Sequence, residues 1–201
     1  MELAEVARRR RMARSFSDAP VDPALLRGLL ELARRAPSAG NSQGWEAVVL
    51  EGPDRTSVFW EATTTSEWRR RSRRWPGLGR AHVVVAMFSH PAAYLARYRE
   101  PDKTGDGLGD STAAWPVAYW DLDAGMAALL LLLGAVNDGL GGCFLGNFRG
   151  EEELRVALGV PEDRRYVGAV VLGHPEGEDP PTTSARRPVR SFEEVFHQGR
   201  W

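Results

Sequence analysis

Three short β-rich runs, helical patterns between them and one long apolar helix predict an α+β fold, a sheet with that helix packed against it. The chain has 201 residues, of which 43% are apolar and 26% charged. That is the balance of a soluble globular protein with chain enough for one sizeable core, so residues 1–201 read as a single domain.

Residues 2–13 have helical composition and run into the turn residues of RSFSDAPVDP. Asp22 before Pro23 marks a helix start, because Asp accepts from free first-turn amides and Pro is tolerated there. Leu25, Leu26, Leu29, Leu30 and Leu32 then make an apolar stripe that ends at Pro37. WEAVVLEG (45–52) is a strand closed by Gly52 and Pro53, and a helix is expected around 56–63. AHVVVAMFS (81–89) is uncharged and β-branched, the pattern of a buried strand. A Pro-started helix follows near 91–98, then a polar, Gly-rich loop at 100–114, read as flexible. The longest helix runs from Tyr119 to Asp138 and is apolar on most faces, hence central. It leads into the Gly-rich turn NDGLGGCFLGNF. GEEELRVALGV is a short helix with acidic residues in its first turn, where they favour the helix dipole. YVGAVVLGHP (166–175) is the third strand, and residues 176–201 form a Pro-rich arm. The arm finishes in Phe192, Val195, Phe196 and Trp201, apolar residues that need a surface to cover.

A formal net charge of −1 argues against bulk attraction to nucleic acid, and the Arg run at 69–74 reads first as a solvated face. Lys103 is the single Lys, so nearly every cation is a planar, bidentate guanidinium. One cysteine, Cys143, excludes an intramolecular disulfide framework and suits a reducing, cytoplasmic setting. The N-terminus lacks the apolar run of a secretory signal. The most apolar segment, residues 125–136, falls short of the roughly 20 residues needed to cross a bilayer.

His82, His90, His174 and His197 are scattered without metal-ligand spacing, no nucleophile stands with a base, and no metal is expected. GLGGCFLG is neither a P-loop nor a dinucleotide fingerprint. Positive sites are better represented. Arg10, Arg11 and Arg14 stand near one end, Arg186, Arg187 and Arg190 near the other. Each trio alone is ordinary surface; brought together they would cradle a dianionic phosphate. Ser38, Ala39, Gly40, Asn41 and Gln43 put small residues and amides just after a helix. That composition suits either a plain helix stop or the wall of a planar ring system, and Phe144, Leu145 and Gly146 offer a second such wall.

RRMARSF (10–16), LLELARRAPSAGNSQGW (29–45), the central helix with its Gly-Leu-Gly-Gly-Cys turn, VGAVVLGHP, and ARRPVRSFEEVFHQGRW together resemble, in order, the nitroreductase family of FMN-dependent oxidoreductases. The resemblance implies a mostly antiparallel sheet packed by helices, in a homodimer with FMN at the subunit interface and terminal arms exchanged. It implies that Arg10, Arg11, Arg14 and the backbone of Met12 meet the cofactor, with Arg186 or Arg187 closing on its phosphate. Pro37, Ser38, Ala39, Asn41 and Gln43 would line the ring from the other subunit, and Phe144, Leu145 and Gly146 would present a backbone amide to the N5 edge. No side chain is then needed as acid or base, since the chemistry sits on the flavin. The expected activity is hydride transfer from NADH or NADPH through FMN to a small oxidised acceptor such as a nitroaromatic or quinone. Flavin sequestration, dehalogenation and flavin breakdown are alternatives on the same scaffold. Two positions depart from the family pattern: Met12 stands in place of Ser, and Gly44 in place of the Pro before Trp45.

Overall fold

A computed structural model of the chain describes residues 1–146, 149–177, 179 and 187–201. Its centre is a four-stranded sheet in the order β1-β2-β4-β3, formed by β1 (Trp45–Glu51), β2 (Val83–Ser89), β3 (Gly141–Leu145) and β4 (Arg165–Gly173). Every neighbouring pair is antiparallel. Strand β2 is buried along its whole length, as an uncharged Val-rich run demands once both faces are covered.

Alternation along the strands divides the interior in two. Val83, Val85, Met87, Val170 and Leu172 face α2 (Pro23–Ala33) and α7 (Tyr119–Asn137). Val84, Val171, Cys143 and Ala169 face Phe59 and Trp60 of α3 (Pro53–Thr63) and Leu154 of α8 (Glu151–Leu158). A third cluster joins Tyr94 of α6 (Pro91–Arg97) to Trp115 and Trp120. The α+β expectation holds, with helices on both faces of the sheet.

Helix α2 begins where expected: the Asp22 carboxylate accepts from the amides of Ala24 and Leu25 at 2.7 and 3.1 Å. Its buried stripe is Leu26, Leu29 and Ala33, whereas Leu32 faces outward. The first helix, α1 (Leu3–Arg9), stops before residue 13 because the next stretch pairs with the sheet edge, Met12 bridging Gly142 in parallel. The principal correction concerns the Gly-rich turn. Residues 141–145 are a strand in full register with β4, from Gly141 opposite Gly173 to Leu145 opposite Ala169.

Helix α7 is long and apolar enough to span a bilayer by length and composition, but half of that window is buried inside the fold. It packs on α2 and on the sheet and is the core helix of its layer. The 100–114 segment consists of turns leading to a short 3-10 helix, Thr112–Ala114. Asp102 is held by both terminal nitrogens of Arg97, each at 2.7 Å, and the Trp115 indole donates to the Leu108 carbonyl at 2.8 Å.

Candidate functional site

At the Leu145 end of β3, on the α3 side of the sheet, lies a cavity of about 300 Å³. Its apolar walls are Trp60, Trp68, Leu78 and Leu145, and Gly146 opens one side. Three guanidinium groups line it, those of Arg14, Arg74 and Arg149, with no carboxylate among the lining residues. The hydroxyls of Thr63, Thr64 and Thr65 complete it. The Thr63 hydroxyl donates to the Phe59 carbonyl at 2.7 Å, and the Thr65 oxygen accepts from the Trp68 amide at 3.1 Å, which starts α4 (Ser66–Arg71).

The chain assembles this cavity from distant segments. Residues 12–14 run along the edge of β3, where the Ala13 amide donates to the Gly142 carbonyl at 3.0 Å. The Arg14 amide donates to Asp179 at 2.6 Å, and its guanidinium to the Met12 carbonyl at 2.9 Å. Gly150 brings Arg149 and α8 against the end of α3. It has φ +73°, and a Cβ there would fall 1.9 Å from the Ala62 carbonyl oxygen, so only glycine fits. Burial pushes the Cys143 thiol up.

Two buried donors have no partner among the described residues, Trp60 Nε1 on the cavity wall and Arg10 Nη1 in the segment that leads to Arg14. A planar heteroaromatic ring with acceptors along its edge and an anionic tail fits that donor set, because unpaired buried N–H groups are costly. Arg11 turns elsewhere. Its guanidinium donates to the carbonyls of Arg8 and Arg10 at 2.7 and 2.9 Å and lines a separate cleft with Gly139 and Pro175. Met12 packs its thioether against both core layers. Phe144 points to the α7 layer, whereas Leu145 points to the α3 layer beside the cavity. Arg187 is exposed on the arm, and Arg186 lies outside the described residues.

The second expected wall, residues 37–43, stands at the same end of the sheet but beyond the opposite edge. It feeds β1, and three inter-strand spacings, about 14 Å, separate β1 from β3. The wall is built rigidly. Asn41 and Gln43 take left-handed φ values of 55° and 50°. The Gln43 amide donates to Ser38 Oγ at 2.9 Å, and the Gln43 side chain to Asn41 Oδ1 at 3.3 Å. Beneath it the buried Asp123 carboxylate accepts from the Ala39 amide at 2.9 Å and from the Tyr94 hydroxyl at 2.6 Å, both on Oδ2. Burial and then Asp123 drive the Tyr94 hydroxyl well above the usual phenol range, so it remains a donor. Arg97 Nε adds a bond to the Gly40 carbonyl at 2.8 Å. Pro37, Asn41 and Gln43 are left exposed on the outer surface.

The nitroreductase family model matches residues 7–174, most of the chain and both walls. The chain belongs to this family. A Thermus thermophilus protein named NADH dehydrogenase is 31% identical, covering 88% of each chain. A 4-nitrobenzoate reductase from Nocardioides sp. is 28% identical over 92% of this chain and 85% of its own. A Desulfovibrio desulfuricans protein solved in complex with FMN superposes with a TM-score of 0.63 at 21% identity, over 96% of this chain and 98% of that one, which shows the shared nitroreductase fold.

Residues that sequence reasoning missed include Trp60, the three threonines, Trp68, Arg74, Arg149 and the Asp123–Tyr94–Arg97 support. Asp123 carried a signal, since it and Asp121 are the carboxylates of an otherwise apolar helix.

Proposed function

We propose that the protein is an FMN-dependent oxidoreductase that passes hydride from NADH or NADPH to a small oxidised acceptor, a nitroaromatic, a quinone or a related molecule. The observation that carries this reading is the cavity at Leu145 and Gly146, apolar on its faces, lined by three guanidiniums and by no carboxylate. Bound there, FMN supplies the hydride acceptor and donor. Arg14 and Arg74 would hold positive charge in the cavity and so stabilise negative charge on a reduced flavin, a preorganised contribution that needs no proton transfer. Gly146 would offer its backbone to the flavin, and Trp60 and Leu78 would keep water out of the cavity. Arg10, with Arg186 or Arg187, would take the phosphate, and the backbone of Met12 would serve the ribityl chain.

The wall of Pro37, Ser38, Ala39, Asn41 and Gln43 reaches the ring from a second copy of the chain. Support comes from α7, which exposes Tyr119, Leu122, Met126 and Leu129 in one stripe, 38–49% accessible, at the 3-4-3 spacing of an interhelical seam. The arm exposes Phe192, Val195, Phe196 and Trp201 in the same way. A homodimer of single-domain chains with exchanged arms covers both surfaces. A cytoplasmic setting keeps Cys143 reduced.

The absorption spectrum of the purified protein, followed by anaerobic addition of each nicotinamide, tests the function. A yellow protein bleached by at least one donor is expected. Protein that is colourless and takes up no FMN on titration overturns the assignment, and bound flavin that neither donor bleaches points to sequestration. Sedimentation at micromolar concentration should give a dimer.

A further inference from the structure

Beside the cavity lies an open groove of about 350 Å³ lined by Trp68, Arg71, Ser72, Arg73 and Arg74. Trp68 and Arg74 line both, so the groove adjoins the cavity. The flavin reading leaves Arg71 and Arg73 without a role.

Three features of the groove agree on one kind of ligand. It is cationic: Arg73 and Arg74 have no carboxylate within ion-pair distance among the described residues, and Arg71 has only Glu67 at 3.2 Å, one turn back on an exposed helix face. Arg97 and Arg164, by contrast, are each neutralised by an aspartate, at 2.7 and 2.6 Å. It also offers an aromatic platform. Trp68 is 40% exposed, and its ring is braced edge-on by Trp75 at 6.1 Å, while Arg69 covers that same Trp75. Third, the other groove beside the cavity, between α3 and α8, sets the carboxylates of Glu61 and Glu153 against the single guanidinium of Arg149 and is the less favourable place for an anion. A flat base stacked on Trp68 with a phosphate monoester among the guanidiniums satisfies all three.

We propose that this groove binds the adenosine 2′-phosphate end of the hydride donor, so that the protein uses NADPH in preference to NADH. The assignment rests on the flavin reading of the adjoining cavity. The two donors differ only in that phosphate, which an arginine pair recognises in a geometry that the bare ribose hydroxyl cannot use.

The experiment compares kcat/KM for NADPH and NADH in the FMN-loaded protein and in an Arg71→Gln/Arg73→Gln variant, with calorimetric titration of adenosine 2′,5′-bisphosphate and of ADP into both. Native protein should favour NADPH by about tenfold or more, the scale of a charge-assisted contact. The variant should lose that preference through a higher KM for NADPH, with kcat and the NADH constants unchanged. The bisphosphate should bind native protein more tightly than ADP, in a salt-sensitive manner, and the variant should not make that distinction. Equal use of the two donors by native protein, or a preference that survives in the variant, overturns the proposal. Bisphosphate binding without any donor preference would assign the groove to another phosphomonoester and equally overturn it. Failure of the flavin reading would show separately, as protein without bound FMN, while the calorimetry still reports on the groove.

Discussion

Replacing Tyr94 with Phe removes one oxygen atom and tests the foundation of the 37–44 wall. The Tyr94 ring is fully buried and meets Trp115 and Trp120 edge-on at 5.8 and 6.0 Å, contacts that Phe keeps. What is lost is the 2.6 Å bond from the hydroxyl to Asp123 Oδ2, an oxygen that retains only the Ala39 amide. Hydrogen bonds to charged groups contribute about 1.5–3 kcal/mol, and this carboxylate is only 1% exposed, so a loss of about 2 kcal/mol is expected. For a chain of this length that lowers Tm by about 4–8 °C, readable by circular dichroism. The pH dependence has a definite sign. The phenol's pKa is raised on folding, so its contribution is complete below the ordinary value of 10.0 and is lost as pH climbs above it. The gap between native and Tyr94→Phe protein should therefore be constant from pH 7 to 9 and narrow above pH 10. Asp123→Asn keeps an acceptor oxygen for both donors and should cost less than Asp123→Ala. A Tyr94→Phe protein within about 0.5 kcal/mol of native, or a gap that widens above pH 10, would refute the reasoning.

Leu154 is fully buried beneath the α3 layer, and Leu154→Ala should cost about 3 kcal/mol by leaving a cavity, checked by urea unfolding. Gly150→Ala combines a forbidden approach to the Ala62 carbonyl with positive φ and should cost at least about 3 kcal/mol, seen as a large fall in Tm or in soluble yield. Arg97 holds the Asp102 carboxyl down to about 2, so the clasp on the 100–114 segment persists above the ordinary carboxylate range and is lost as pH falls through 2. Pepsin should accordingly cut that segment faster at pH 2 than at pH 4 in native protein, and at similar rates in Asp102→Asn.

Strands β2 and β4 were legible because uncharged β-branched runs have few other uses, and α2 because its cap and stripe are local. Strand β3 was not. Gly-Gly-Cys-Phe-Leu carries little β propensity, and it becomes a strand only through pairing with β4 on one side and the Met12 bridge on the other. The cavity was half legible for a related reason. Arg14, Leu145 and Gly146 sit in motifs with a fixed order, whereas Arg74 and Arg149 look like every other surface arginine until the fold sets them at the cavity's rim. Nothing local separates Arg74 from Arg70. The 37–43 wall was legible in composition, but its support was not, since Asp123 and Tyr94 come from helices far along the chain.

The two departures from the family pattern have packing explanations rather than functional ones. Met12 is flexible and apolar, and it fills the junction of the two core layers while its carbonyl still accepts from Arg14. At Gly44 a Cβ would fall 2.4 Å from Tyr94 Cε2 and 2.8 Å from Cδ2, so the buried tyrosine occupies the space that a larger residue before Trp45 needs. Gly44 and Tyr94 are thus one steric unit, and their substitutions should not add. Gly44→Ala alone must displace the ring and its bond to Asp123, at a cost of about 2–3 kcal/mol. In a Tyr94→Ser background the methyl has room, so Gly44→Ala there should cost under about 1 kcal/mol, a positive coupling that a double-mutant cycle in urea would measure. Equal costs in the two backgrounds would mean that the chain absorbs the methyl by moving the 37–44 backbone, and the wall would then be softer than its hydrogen bonds imply.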